Sequence, residues 1–348
     1  MTVVIDFDDT ICFHLDKERT IEDAIPIPKT VDKMRNLNEH GCRIVIYTAR
    51  GQKSCDGDIL LIEAKYRARI EKWLAANKVP YDELVFGKPL GDLYIDDKGM
   101  SLEAFNNMEF EALKGNSGSK IFRLDRHVIK TCPDAYAQAE WYKRASEIGV
   151  EVPKVYSVVL DTIDMTAING QNASDGVSGE EIYQIAEIVY KFSKIRGPAF
   201  DVEALIARAL NHLADDAGMF NELFSYMRSH KADYQERSTF CHGDMSLSNI
   251  IITDEGNVAL IDPIVRPEYS SYLMDLAKLK FSLHGGENFL HPGREVDDRE
   301  ASEALDRYIG QKETRLVDAL TAVYWIRLLN YNRDRRQEIL SKARRAWE

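Results

Sequence analysis

The 348-residue chain has no continuous apolar run long enough to cross a bilayer, so no membrane partner is expected. It also lacks a basic, apolar leader. Met1-Thr2-Val3-Val4-Ile5 reaches the carboxylate of Asp6 at once, which argues against a signal peptide and makes a cytoplasmic location the expectation. Cysteine is scarce: Cys12, Cys42, Cys55, Cys132 and Cys241 are scattered, with no CxxC pair and no zinc-type spacing. An odd, dispersed set of this kind reads as free thiols rather than as a disulfide framework. Basic residues are in deficit, with 45 Lys and Arg against 57 Asp and Glu, for a net charge of −12. That balance disfavours a polyanion-binding surface, and no nucleic-acid partner is expected. The P-loop pattern GxxxxGK(S/T) is missing, and no internal repeat or low-complexity tract is present.

What is there suits about two globular domains. Over the first 112 residues short apolar runs alternate with amphipathic stretches. The pattern predicts strands at 2–6, 43–47, 84–86 and 93–95 and helices at 29–39 and 59–77, with 103–113 a helix or linker. This order argues a mostly parallel sheet with helices on its faces, an α/β Rossmann-like arrangement. From residue 120 the pattern changes. Two short strands (120–124 and 127–130) precede a helix at 135–148 and a strand at 154–160. The remainder reads as helical except for a hairpin, 249–252 and 258–261, turning at Asp254-Glu255-Gly256-Asn257. The expected domains are 1–112 and 113–348.

Val3-Val4-Ile5-Asp6-Phe7-Asp8-Asp9-Thr10 places Asp6 and Asp8 just past a buried strand, where parallel sheets keep their ligand crevice. The strand at 43–47 delivers Thr48 to that edge, Lys88 follows the strand ending at Phe86, and Leu93-Tyr94-Ile95 delivers Asp96 and Asp97. A carboxylate can attack phosphorus once its repulsion from the phosphate is relieved, and Mg²⁺ on carboxylate oxygens together with Lys88 supplies that relief. A second acid, Asp8, can protonate the leaving oxygen and then activate water. These motifs, DxDxT, a strand-terminal Thr, a Lys and a DD pair, resemble the haloacid dehalogenase superfamily over residues 1–100, including its small capsule-biosynthesis phosphatases. The resemblance implies Asp6 as nucleophile, Asp8 as acid/base, Thr48 and Lys88 as phosphate ligands, and Asp6, Asp8 and Asp96 or Asp97 at the metal. The intervals from Thr10 to Thr48 and from Thr48 to Lys88 are too short for a separate cap domain, so a minimal cap and an open site are expected.

The second constellation is His242-Gly243-Asp244-Met245-Ser246-Leu247-Ser248-Asn249, followed by Ile261-Asp262. An Asp and an Asn five residues apart, with a later Asp behind a hairpin, suit kinase-type phosphoryl transfer. Asp244 would orient the acceptor hydroxyl and take its proton; Asn249 and Asp262 would hold Mg²⁺ on the phosphates of ATP. Upstream, Lys130 ends a strand as a cation for the α/β-phosphates, Glu140 on the next helix could orient it, and Gly115 and Gly118 would let the first hairpin approach the nucleotide. The set resembles the aminoglycoside phosphotransferase and choline kinase group, as does Tyr272-Leu273-Met274-Asp275-Leu276-Ala277. That resemblance implies an α+β, two-lobed protein-kinase-like domain. Pro263 departs from the group, where many relatives place an aromatic residue and then an acid.

The stretch 161–178 is polar, where an apolar hinge for adenine is expected, so no adenine contact is assigned. Tyr324, Arg327 and Tyr331 recur at helical spacing with Trp325 nearby; they read as core packing ahead of a cage for a cationic head group. His284, His291 and Gly285-Gly286 read as a substrate flap or a plain loop. The expected function is therefore a bifunctional enzyme acting on a small phosphate ester and a small hydroxylated acceptor, such as a sugar, polyol or amino alcohol. Oligomeric state is left open. Two other readings are a nucleotide-sensing protein with only the phosphatase active and a nucleic-acid end-processing enzyme. The missing P-loop and the net charge weigh against the second of these.

Overall fold

The alternation of β-branched runs with amphipathic stretches over residues 1–90 builds a parallel sheet. The computed structural model describes residues 1–348 apart from 16–18, 92–98, 115–118 and 291–298. The chain divides into two compact units, Met1–Thr131 and Cys132–Glu348.

In chain order, the first unit holds β1 (Thr2–Ile5), the short antiparallel pair β2 (Cys12–Phe13) and β3 (Ile25–Pro26), α1 (Pro28–Glu39), β4 (Arg43–Thr48), α2 (Ile59–Ala76), β5 (Glu83–Phe86) and α3 (Leu102–Asn107). A meander follows: β6 (Phe110–Lys114), β7 (Lys120–Leu124) and β8 (His127–Thr131). β1, β4 and β5 lie side by side in parallel, with Ile5 opposite Ile46 and Thr48 opposite Phe86. β4 carries the unbroken apolar run of a strand covered on both faces, and Ile44, Val45 and Ile46 are all buried. α1 starts on Pro28, whose fixed φ suits a first helical turn, and buries Thr30, Val31, Met34 and Leu37 at helical spacing. Asp58 caps α2, its carboxylate accepting the amides of Leu60 and Leu61. Trp73 of α2 lies edge-on to Phe7 at 5.3 Å and donates to the Ala24 carbonyl at 2.9 Å. That contact ties α2 to the loop that follows β1.

The sequence misses β6. Its residues, Phe-Glu-Ala-Leu-Lys, carry one aromatic, and that ring stacks on Phe122 of β7 at 5.6 Å. Phe110 and Phe122 join Leu37 and Cys42 in a small core of their own. The expected boundary at 112/113 thus lies inside β6, which pairs with β7 from Phe110–Leu124 to Lys114–Lys120, and the compact units part after Thr131 instead.

The second unit runs α4 (Ala135–Glu147), the hairpin β9 (Val155–Val159) and β10 (Thr162–Thr166), β11 (Gly170–Asn172), α5 (Gly179–Ser193), α6 (Val202–Leu213), α7 (Asn221–Ser229) and α8 (Lys231–Glu236). Then come β12 (Ile250–Thr253), β13 (Val258–Leu260), α9 (Tyr272–Phe281), α10 (Glu287–Leu290), α11 (Arg299–Tyr308), α12 (Gln311–Arg327) and α13 (Arg336–Trp347). β11, β12 and β13 form an antiparallel sheet. α12 packs between α9 and α13, while α11 lies on α5. Ser178 and Glu181 close a reciprocal capping box on α5, so a sequence-local device starts the first long helix. β10 and β11 are strands where a polar, largely helical stretch is expected. Ile163 and Met165 are the buried alternates of β10, a period-two signal short enough to be masked by Asp164 and the flanking threonines.

Candidate active sites

In the first unit, three strand ends meet the expectation for a ligand crevice. Asp6 follows β1, Thr48 ends β4, and Lys88 stands two residues past β5. The Lys88 ammonium reaches Asp6 Oδ2 at 2.5 Å, and the Phe7 amide donates to Asp6 Oδ1 at 2.7 Å. Both oxygens of Asp6 are thereby oriented. Thr48 is fully buried; its hydroxyl accepts the Arg50 amide at 3.0 Å, and its carbonyl accepts the Lys88 amide at 3.3 Å. Two backbone hydrogen bonds therefore place Thr48, Arg50 and Lys88 relative to one another.

Asp8 is engaged by a residue the sequence does not single out. Arg50 Nε donates to Asp8 Oδ2 at 2.9 Å and Arg50 Nη2 to Oδ1, while His14 Nε2 lies 2.9 Å from Oδ1. Burial pushes the Asp8 carboxyl up, but Arg50 and then His14 outweigh it, so it sits below the usual carboxylate range. Cys12 lies under this cluster with its thiol pushed up to about 12, by burial and by the Asp8 charge. Asp8, Cys12 and His14 bring three ligand-type atoms together, yet the Arg50 guanidinium already neutralises the carboxylate and sits 3.0 Å from the imidazole. A cationic metal there would face a fixed cation, and the group reads as an ion-pair network. Asp6 and Asp8 offer the oxygen donors that Mg²⁺ prefers, but an ion could take them only where Lys88 and Arg50 give them up. Asp96 and Asp97 lie outside the described residues.

In the second unit, the turn before β12 is locked from several sides. Gly243 has φ +80°, and a Cβ there would fall 2.3 Å from the Ile264 carbonyl oxygen, so only glycine is tolerated. The buried Asp275 of α9 accepts the His242 amide on one oxygen and the Gly243 amide on the other, each at 2.8 Å. Burial lifts the Asp275 carboxyl to about 7, against the pull of those amides. His242 is fully buried, its Nε2 2.9 Å from the Ile261 carbonyl and its Nδ1 facing the Asp244 amide at 3.3 Å. Nε2 therefore donates and Nδ1 accepts. Burial favours the neutral ring.

Asp244 emerges from this scaffold with both oxygens engaged. Lys278 of α9 lies 3.0 Å from Oδ1, and the Asn249 side-chain amide donates to Oδ2 at 3.1 Å and to the Asp244 carbonyl at 3.0 Å. Burial raises the Asp244 carboxyl, but Lys278, with help from His242 and Arg327, brings it below the usual range. Because the Asn249 nitrogen is spent on Asp244, its oxygen points away and is available to a metal. Asp262, just past β13, adopts φ 58°, a left-handed conformation that costs a non-glycine residue about 1 kcal/mol. Its amide donates to the buried Tyr142 hydroxyl at 2.9 Å, which holds the strained turn. An amide oxygen and a carboxylate on adjoining turns are the donors a Mg²⁺ on nucleotide phosphates requires. Glu287 of α10 is buried beneath the same loop, accepting the Leu247 amide at 3.0 Å and the Ser282 hydroxyl at 2.7 Å.

A family model, that of the phosphotransferase enzyme family, matches residues 103–263. That match spans a little under half of the chain and marks a similarity to the family. A choline/ethanolamine kinase family protein from Mesorhizobium loti is 20% identical, with a TM-score of 0.50 over 69% of this chain and 88% of that one. That likeness shows the two-lobed protein-kinase-like fold. The choline kinase LicA of Streptococcus pneumoniae is 16% identical, with a TM-score of 0.46 over 68% of this chain and 91% of that one. A structural-genomics target from Vibrio cholerae is 28% identical, with a TM-score of 0.29 over 31% of this chain and 89% of that one. Neither score supports a comparison of folds. No curated protein matches the chain.

In the second unit the structure brings Asp244 and Asn249 into contact and sets Asp262 on the turn after β13. Lys130 is buried on β8. Glu140 is exposed on α4 and lines a cavity with Trp141, Arg144 and Phe240. Gly115, Gly118 and His291 lie outside the described residues. Tyr324 and Trp325 are buried in α12, as packing predicts, whereas Tyr331 stands beyond the helix end and is 76% exposed. Lys278, Asp275 and Glu287 escape sequence reasoning, since each acts on a loop some thirty to forty residues distant. Only the Tyr272–Ala277 segment hints at one of them.

Proposed function

We propose that the chain is bifunctional. Its N-terminal part, which carries Asp6 to Lys88, hydrolyses a small phosphate monoester, and its C-terminal part, which carries Asp244 to Asp262, transfers phosphate from ATP to a hydroxyl of a small metabolite. The kinase half rests on one observation above others: Asp244 is held between Lys278 and Asn249 on a loop anchored by Asp275. That arrangement aims one carboxylate oxygen at an acceptor hydroxyl while Asn249 and Asp262 offer oxygens to Mg²⁺. When bound, Mg²⁺ neutralises phosphate charge at both sites. Lys130 is assigned to the nucleotide phosphates. The acceptor hydroxyl passes its proton to Asp244 as its oxygen bonds to the γ-phosphorus and the bond to the β-phosphate oxygen breaks.

The phosphatase half rests on the Asp6–Lys88 pair at the strand ends, with Thr48 beside it. Asp6 attacks phosphorus, the ester oxygen leaves with a proton from Asp8, and water then cleaves the aspartyl phosphate with Asp8 as base. Lys88 and Thr48 hold the phosphoryl oxygens. In the resting site Asp8 is kept ionised by Arg50, so it must be reprotonated for the first step. An arriving phosphate that draws Arg50 away from Asp8 raises the carboxyl pKa at the moment a proton is needed. The resemblance to capsule-biosynthesis phosphatases suggests a role in surface-polysaccharide assembly.

The test is a panel of free and phosphorylated small metabolites with ATP and Mg²⁺, read by mass spectrometry in wild type, Asp6→Asn and Asp244→Ala. Asp6→Asn should abolish ester hydrolysis and spare phosphorylation, and Asp244→Ala should do the reverse. Unchanged hydrolysis in Asp6→Asn would sink the nucleophile assignment; unchanged phosphorylation in Asp244→Ala would sink the base assignment.

A further inference from the structure

The aromatic residues that could cage a cationic acceptor are already occupied by the protein's own cations. Lys278 Nζ, paired with Asp244, lies 5.0 Å from the Phe281 ring centroid and 5.1 Å from that of Tyr324. Three residues along α12 from Tyr324, the Arg327 guanidinium carbon lies 5.3 Å from the same ring and 5.0 Å from the ring of Tyr269. Tyr269 is itself fixed, its hydroxyl accepting Arg208 at 2.9 Å, and Arg208 is paired with Glu268 at 2.8 Å. A choline-like head group would therefore find these ring faces taken and would meet two like charges.

Arg327 differs from its neighbours. It is half-buried, and among the described residues it has no hydrogen-bond or ion-pair partner, although its charge reaches Asp244. A guanidinium removed from water without a partner is costly, and its forked donors match a carboxylate or phosphate. Beside it, the Tyr324 hydroxyl is buried without a hydrogen-bond partner. A buried hydroxyl of this kind is normally satisfied. Two unsatisfied donors thus stand together on one helix, near the proposed base. We infer that the acceptor of the phosphotransferase domain is an anionic hydroxyl compound, whose carboxylate or phosphate seats on Arg327 and the Tyr324 hydroxyl while its own hydroxyl faces Asp244. The inference rests on the kinase reading of Asp244 for its orientation; the anion site itself does not.

Calorimetric titration of the full chain in EDTA, which keeps both phosphotransfer reactions off, tests this. The probes are D-glycerate and D-gluconate for a carboxylate, glycerol 3-phosphate and glucose 6-phosphate for a phosphate, and glycerol, glucose and choline as controls. At least one anion should bind 10-fold or more tightly than its neutral parent and than choline, and the carboxylate and phosphate arms tell the two sources apart. Arg327→Gln should weaken that anion about 10- to 100-fold and Tyr324→Phe by a smaller factor. A preference for choline, no anion preferred over its parent, or an anion affinity unmoved by both variants would overturn the inference. If Arg327→Gln does not fold, the wild-type preference and Tyr324→Phe still decide. Mg·ATP titration in parallel separates the two failures. Absent nucleotide binding with Arg327-dependent anion binding removes the kinase reading alone, whereas nucleotide binding with a choline preference removes only the anion site.

Discussion

Replacing Lys278 with Met tests how Asp244 is held. The ammonium sits 3.0 Å from Asp244 Oδ1, with side-chain exposures of 10% for Lys278 and 27% for Asp244. Removing one partner of a buried pair costs about 3–5 kcal/mol, and the partial exposure of Asp244 brings the expectation to about 2–3 kcal/mol at neutral pH. Methionine keeps most of the volume against Phe281 and Tyr324, so the loss is chiefly electrostatic. The sign follows from the carboxyl. In the wild type the Asp244 pKa lies below its unfolded value, so its stabilisation is present above about pH 4 and disappears as pH falls through the folded pKa. Without Lys278 burial dominates, the folded pKa rises above the unfolded one, and a penalty grows with pH. Urea unfolding followed by tryptophan fluorescence should show Lys278→Met within about 1 kcal/mol of wild type near pH 3 and some 2–3 kcal/mol below it at pH 8. An equal loss at both pH values would mean that Lys278 acts through packing alone, and the electrostatic account of Asp244 would fall.

Two further expectations follow from the sites. Arg50→Met should raise KM for a phosphate ester about 10- to 100-fold and move the alkaline limb of kcat/KM to higher pH, because Asp8 loses the group that holds it ionised; steady-state rates across the pH range check both, and an unmoved limb with a raised KM would restrict Arg50 to phosphate binding. Asp262→Ala should weaken Mg·ATP binding, whereas Asp244→Ala should leave it nearly unchanged and lower turnover by about 10²–10⁴. Calorimetry on both variants separates metal holding from proton transfer, and the reversed pattern would overturn the roles assigned to this motif.

The elements most legible in the sequence are those whose signals are local. β4 announces itself as an unbroken apolar strand, α1 by its proline start and its buried 3–4 spacing, and the β12–β13 hairpin by its polar turn. Asp6, Thr48, Lys88 and Asp244 are legible for the same reason, as chemistry-bearing residues at the ends of recognisable strands or in a compact motif. What sequence reasoning misses is set by partners far along the chain. Arg50 is two residues from Thr48, yet nothing local says that it will reach back 42 residues to Asp8. Lys278 looks like a solvated helical lysine until α9 folds against the loop at Asp244.

The two sites share a device with different consequences. Each carboxylate proposed to react is paired with a lysine, Asp6 with Lys88 at 2.5 Å and Asp244 with Lys278 at 3.0 Å. For a nucleophile the pairing is direct help. In the proposed role Asp6 approaches an anionic phosphate, and an ammonium at the strand ends offsets their repulsion. For a general base the same pairing looks counterproductive, since Lys278 lowers the basicity of Asp244. The cost is small if the transition state of phosphoryl transfer is loose, with the leaving bond largely broken before the acceptor oxygen bonds strongly to phosphorus. The hydroxyl then needs to be oriented early and deprotonated late, when it has become acidic. A weakly basic carboxylate held on one oxygen by Lys278 and on the other by Asn249 is well suited to that order of events, so the geometry at Asp244 favours a base whose main work is positioning.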